Sequence, residues 1–184
     1  VMRAAFLGLC VFVLGFLLTP VLIVLCFAIN PEPFLAFPPS GFSLRWFAKF
    51  FTSRDFMAAF GLSLGLGVAT VVIAGVMGTL ASLALLRSNL PGRKAAFREV
   101  TLPLIRPGVI AGGLFAFIVS FDQFPVSLFL VSPGQETLPI AMFNYLRFDF
   151  DGTIAAASCI SIFLAITLVL GIERTIGLQE YAKL

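Results

Sequence analysis

Four apolar runs are each long enough to cross a bilayer, and this constrains the fold more than any other feature of the chain. Spanning the hydrocarbon core takes about 20 residues of helix. The runs cover about 5–29 ("AFLGLCVFVLGFLLTPVLIVLCFAI"), 57–86 ("MAAFGLSLGLGVATVVIAGVMGTLASLALL"), 108–131 ("GVIAGGLFAFIVSFDQFPVSLFLV") and 153–172 ("TIAAASCISIFLAITLVLGI"). Composition agrees with them: 60% of the residues are hydrophobic and 11% charged, against about 25% charged in soluble domains. A water-soluble fold could not hide so much apolar surface. The expected fold is therefore an all-α integral membrane protein, a polytopic helix bundle.

Several function classes fall away on composition. There is no histidine, so the commonest general base and metal ligand is missing. Cys10, Cys26 and Cys159 all lie inside apolar runs. Cys10 and Cys26 would stand roughly 24 Å apart along one helix, too far to bridge. All three are read as small buried hydrophobes, with no metal site and no catalytic residue. The net charge of +3 is small and dispersed, which gives no nucleic-acid surface. The first run exceeds the short apolar core of a cleaved signal peptide and ends in "NPEP", so it is read as a retained helix.

Loop charges set an orientation. The connection 87–106 holds Arg87, Arg93, Lys94, Arg98 and Arg106 against Glu99, whereas 132–152 holds Arg147 against Glu136, Asp149 and Asp151. Positive loops stay inside. This predicts a cytoplasmic 87–106, an external 132–152 and 30–56, and both termini in the cytoplasm. Arg45, Lys49 and Arg54 run against that bias. In "SLRWFAKFFTSRDF", Leu44, Phe47, Phe50 and Phe51 fall near helical spacing with Trp46 beside them. Such a stretch either lies flat in the membrane interface or packs on its own protein.

Small residues mark helix contacts: Gly61 and Gly65 on the second run, Gly108, Gly112, Ala116 and Ser120 on the third, and Ala157, Ser161 and Ala165 on the fourth. At this spacing they let helices approach closely in lipid. On the third run Ile118, Asp122, Val126 and Phe129 would share another face, with Asp122 in mid-helix and Gln123 beside it. A carboxylate at bilayer depth costs at least about 2.5–3.5 kcal/mol, so it needs a partner or a watered path. Facing a path, Asp122 would attract a cation, and Phe121 and Phe124 would add cation–π contact. Facing a neighbouring subunit, it would be half of a structural pair. Pro125 removes one backbone hydrogen bond and is expected to kink the helix there.

The segment "FREVTLPLIRPG", residues 97–108, breaks the apolar pattern with two arginines, a glutamate and two prolines. A short amphipathic helix over "FREVTLP", stopped by Pro103 and Pro107, would suit a lever on the cytoplasmic face. A solvated basic loop is the plain alternative.

This segment resembles the second half of the cytoplasmic coupling loop of ABC importer permeases, with Phe97, Val100, Leu102, Pro103 and Pro107 matching the family's ending. "SFDQFPVSLFLVSPGQETLPIAMFNYLRF" and "FPPSGFSLRWFAKFF" are similar to the spermidine/putrescine type, close to its second membrane subunit. The resemblance implies one ABC importer transmembrane domain over 1–184. It also implies that Phe97, Arg98, Glu99, Val100, Leu102, Pro103 and Pro107 couple to two cytoplasmic ATPase subunits, and that a second permease subunit completes the path. "SPGQETLP" is expected to form a turn, and Gln135 and Glu136 at its tip, with 30–56 and 132–148, would meet an external, periplasmic solute-binding protein. No cofactor is expected on this chain: it lacks a G-x-x-x-x-G-K-[ST] loop, so ATP and Mg would bind the partner ATPases.

One departure stands out. Where the family's loop begins Glu-Ala-Ala and a Gly, this chain has "LRSNLPGRKAAF", which resembles an earlier cytoplasmic loop. Two family loops are thus fused near 94–99, with two spanning helices and half of the coupling loop missing between them, so that four spans stand where the family has six and a chain break is expected near 92–101. A shortened chain, two pieces joined across a region absent from the sequence, and a four-span variant all fit. The expected function is a permease subunit of an ATP-driven importer of polyamine or a related cationic solute, not itself an enzyme, in the bacterial inner membrane. A non-transporting membrane scaffold is the reading from another class.

Overall fold

The computed structural model describes residues 2–32, 40–85, 102–132, 134–149 and 151–176. Every regular element among them is a helix: α1 (Met2–Ile29), α2 (Arg45–Thr52), α3 (Arg54–Leu85), α4 (Leu102–Phe121), α5 (Phe124–Leu130), α6 (Leu138–Phe148) and α7 (Thr153–Ile176). The expected all-α architecture is the observed one. Among the described residues three stretches, Phe6–Ile29, Arg54–Ala81 and Thr153–Arg174, are long and apolar enough to cross a membrane, and a bent pair, Gly108–Phe121 with Phe124–Leu130, makes a fourth if its two arms form one broken span.

The chain divides into two compact units. The first comprises Val1–Met57 and Ala141–Phe163. Its interior holds Ala28, Trp46, Phe50, Phe56, Ala156 and Ala157. Trp46 Nε1 donates to the Asn30 carbonyl at 2.8 Å, so the indole's polar edge is satisfied inside the core. Phe56 packs on Phe50 at 5.4 Å and on Tyr145 at 5.2 Å between ring centroids. Helix α2 therefore packs on its own protein through Trp46 and Phe50, one turn apart. Leu44 and Phe51, expected on the same face as Phe50, are exposed instead.

The second unit comprises Ala58–Ile140 and Leu164–Leu184. Here α3 and α4 meet over a short register. Gly67 lies under the Phe117 ring, Gly113 lies against Val71, and Thr70 Oγ1 and Ser120 Oγ share a hydrogen bond at 2.9 Å. The small-residue expectation is thus right in kind and wrong in part of its register. Among the described residues, nothing lies within 4 Å of where a side chain would be at Gly61, Gly65, Gly108 and Gly112. Large side chains decide this: the Phe117 ring needs a hole, and Gly67 provides it. Ser63 Oγ accepts the Leu138 amide at 2.8 Å, which fastens the start of α6 to α3.

Of the cysteines, Cys159 is buried, while Cys10 and Cys26 are partly exposed on α1; none is in a disulfide.

Candidate functional site

The third run is not one straight helix. α4 ends at Phe121, α5 begins at Phe124, and the two axes differ by 59°. The cause is in the sequence. Pro125 has no N–H, and its ring would meet the carbonyl four residues back, that of Phe121. The backbone uses that proline in the first turn of a new helix, where the missing donor is harmless. The Asp122 amide still bonds the Ile118 carbonyl at 3.2 Å, as the last turn of α4. Asp122 and Gln123 therefore occupy a break in the span. This corrects the expected mid-helix position of Asp122. The face proposed for Ile118, Asp122, Val126 and Phe129 does not survive either, because the helical phase is interrupted at 122–123.

A cavity of about 440 Å³ is lined by both arms of this bend together with Leu66 and Thr70 of α3. Most of its wall is apolar; Thr70, Ser120, Gln123 and Ser127 supply neutral polar groups. Asp122 is exposed and is not among the lining residues. Phe121 is buried, stacked on Phe117 at 5.9 Å and edge-on to Phe60 at 6.0 Å. It anchors the C-terminal end of α4, a core position. Phe124, at the start of α5, is half-buried.

Gln135 and Glu136 follow α5 in the turn expected from "SPGQETLP". The Gln135 amide bonds the Ser132 carbonyl at 3.0 Å, and Gly134 has a φ of 84°. A side chain would be strained at that angle, so glycine is required there. Gln135 is exposed and Glu136 half-buried. Phe97, Arg98, Glu99 and Val100, and the junction near 92–101, lie outside the described residues. Leu102, Pro103 and Pro107 fall within α4, so the two prolines stand inside this helix, with Pro103 in its first turn, where proline is tolerated.

The first unit contains a polar cluster that the sequence reading missed. Lys49 Nζ is 2.6 Å from Asp151 Oδ2 and donates to Tyr145 Oη at 2.8 Å. Tyr145 Oη donates to the same carboxylate oxygen at 2.9 Å. The other oxygen accepts the Thr153 amide at 2.9 Å, at the start of α7. The bonds to Asp151 and then Tyr145 hold the Lys49 ammonium above its ordinary pKa. Burial pushes the Asp151 carboxyl up, but the bonds from Lys49, Thr153 and Tyr145 outweigh it and leave the carboxyl below its ordinary value. Beside the cluster, Gly152 sits against Trp46, where a Cβ would come 2.5 Å from Nε1. "DGT" just before an apolar run is a turn-and-cap signal; the pairing with Lys49, 102 residues away, carries no local signal at all.

No family model matches the chain. Over 81 residues it is 35% identical to the putrescine transport system permease protein PotI of Escherichia coli (strain K12), covering 44% of this chain and 26% of that protein. It is 30% identical over 73 residues to the spermidine/putrescine transport system permease protein PotC of the same organism, covering 40% and 28%. It is 38% identical over 56 residues to the putative ABC transporter permease protein ORF1 of Streptomyces antibioticus, covering 30% and 24%. The matched stretches span about a quarter of the length of these relatives. The chain is an all-α protein with several membrane-spanning candidates that is similar, over these stretches, to permease proteins of putrescine and spermidine/putrescine transport systems.

Proposed function

We propose that this chain is a permease subunit of an ATP-driven, binding-protein-dependent importer, and that its solute is a polyamine or a related small cation. The similarity to putrescine and spermidine/putrescine permeases carries the reading. The broken span supports it. Breaks free backbone groups at membrane depth and are tolerated where they face protein or a watered cavity. Here the break presents Asp122 and Gln123, and Gln123 lines the cavity along the bend. Asp122 would attract the cation at the bend, and Phe124 would add an aromatic face. Phe121, buried in the core, would position them.

In this reading a second permease subunit completes the path. Two cytoplasmic ATPase subunits, which hold the ATP and Mg, grip the segment with Phe97, Arg98, Glu99, Val100, Leu102, Pro103 and Pro107. The binding protein meets the turn at Gln135 and Glu136. Both termini lie in the cytoplasm of a bacterial inner membrane, and the chain performs no catalysis itself. The domain is one transmembrane domain with two family loops joined within 92–101.

The test is purification of the tagged chain from native membranes, followed by reconstitution with whatever accompanies it. ATP-dependent putrescine uptake into proteoliposomes is expected, with an ATPase, a permease and a binding protein in the preparation. A preparation without an ATPase, or one that leaves putrescine outside, overturns the proposal.

A further inference from the structure

Helix α2 is tied to the bilayer from both sides. Only Ser53 separates it from α3, whose candidate span starts at Arg54, and residues 30–44 join it to the end of α1, another candidate span. A helix placed between two such spans would lie at headgroup depth. Its inner face is already occupied, by Trp46 and Phe50 in the core. Its outer surroundings are apolar: Phe42, Leu44 and Phe51 are 72%, 57% and 56% exposed. Large apolar side chains at a water-exposed surface are unfavourable; at the boundary of headgroups and acyl chains they are buried.

The cations of this segment divide into two kinds. Lys49 is committed to Asp151 and Tyr145. Arg45 and Arg54 are exposed, and among the described residues neither forms an ion pair. The Arg45 guanidinium lies 4.0 Å from the centre of the Trp46 ring, which holds the planar group in place without using its N–H donors. A guanidinium presented this way matches phosphate oxygens, two bonds at a time. These are also residues that run against the charge bias of the loops.

We propose that α2 is an interfacial anchor that binds anionic phospholipid: Arg45 and Arg54 hold the phosphates while Phe42, Leu44 and Phe51 enter the acyl boundary. An acidic soluble protein would meet the same two arginines but would leave no reason for apolar side chains on and just before a helix placed between two spans.

Trp46 is the only tryptophan, and it touches Arg45, so its fluorescence reports on lipid at this site. The full chain is placed in nanodiscs of equal phosphatidylcholine and phosphatidylglycerol, with bromine on the acyl chains of one lipid or of the other. Stronger quenching by brominated phosphatidylglycerol is expected, since each surface cation favours anionic lipid by about fivefold. Arg45→Gln and Arg54→Gln should each reduce the preference, and together abolish it. The thermal unfolding curve should stay unchanged, and quenching by brominated phosphatidylcholine should remain. Arg3→Gln, at the far end of α1, should leave the preference intact. Equal quenching by the two lipids in the unaltered chain overturns the proposal. So does an absence of quenching by either, the result if a protein covers α2, and so does an equal loss of preference in the Arg3 variant.

Discussion

The Phe117 ring of α4 rests on the backbone of Gly67 in α3, so closely that a Cβ on Gly67 would lie 2.7 Å from the ring's Cε2. Gly113 and Val71, and the Thr70–Ser120 hydrogen bond, flank this contact. Without a strong hydrophobic force between helices in lipid, such close packing and its polar bond hold the pair. Gly67→Val should push α3 and α4 apart at a cost of about 1–3 kcal/mol. Gly61→Val, with open space around it, should cost far less. Thermal unfolding of both variants in one detergent checks the difference.

The Lys49–Asp151 pair predicts a pH window. Asp151 titrates below its ordinary 3.8, so its contribution is complete above that value and is lost as the pH falls through the lowered one. Lys49 titrates above its ordinary 10.5, so its contribution is complete below 10.5 and is lost as the pH rises through the raised one. Neutral pH lies in the stable middle. Asp151→Asn should lower stability there by about 1 kcal/mol, because solvent screens the Lys49 ammonium, which is 51% exposed, while Asp151 is 13% exposed. It should also flatten the acid limb of a melting-temperature profile; an unaltered limb would assign acid sensitivity to other carboxylates.

Asp122→Asn keeps shape and removes charge at the broken span. Under the proposed function it should reduce uptake of a putrescine-like solute while assembly and basal ATP hydrolysis persist. If Asp122 instead pairs with a neighbouring subunit, the same change should strand its partner and destabilise the complex by about 3–5 kcal/mol. Uptake and thermal stability, measured on one preparation, separate these outcomes.

Phe97→Asp should uncouple ATP hydrolysis from transport in proteoliposomes while binding-protein docking persists, and Leu102→Asp should do the same. Transport at the unaltered rate in both variants would remove the lever role of this segment.

Gln135→Cys should cross-link to a cysteine on the binding protein, since Gln135 is exposed at a turn held by Gly134. Labelling of that cysteine from the cytoplasmic side alone would reverse the proposed orientation.

The spans were legible because their signal is additive: about twenty apolar residues commit a segment to lipid whatever surrounds it. α1, α3 and α7 match three of the expected runs closely. The turn at Gly134 was legible because positive φ is a local demand that glycine meets. The site was less so. Pro125 signalled a distortion, but a proline inside a helix can kink it or start a new one, and neighbouring packing selects between them. Here Phe121, buried against Phe60 and Phe117, fixes the end of α4. That turned Asp122 from a mid-helix acid into a residue at a break and brought Gln123 to the cavity wall.

What the sequence determined by itself was the solvent, the helices and the tight turn, because each depends on residues adjacent along the chain. What only the tertiary structure decided was which small residues make contact and which charges pair. A Cβ at Gly67 or Gly113 would meet a neighbouring helix, while one at Gly61, Gly65, Gly108 or Gly112 would meet nothing within 4 Å among the described residues. Lys49 joins Tyr145 and Asp151 across 96 and 102 residues of chain. Helical spacing says which residues share a face, but the register of one helix on another depends on where bulky side chains such as Phe117 find room. That choice is made between elements, where no local pattern records it.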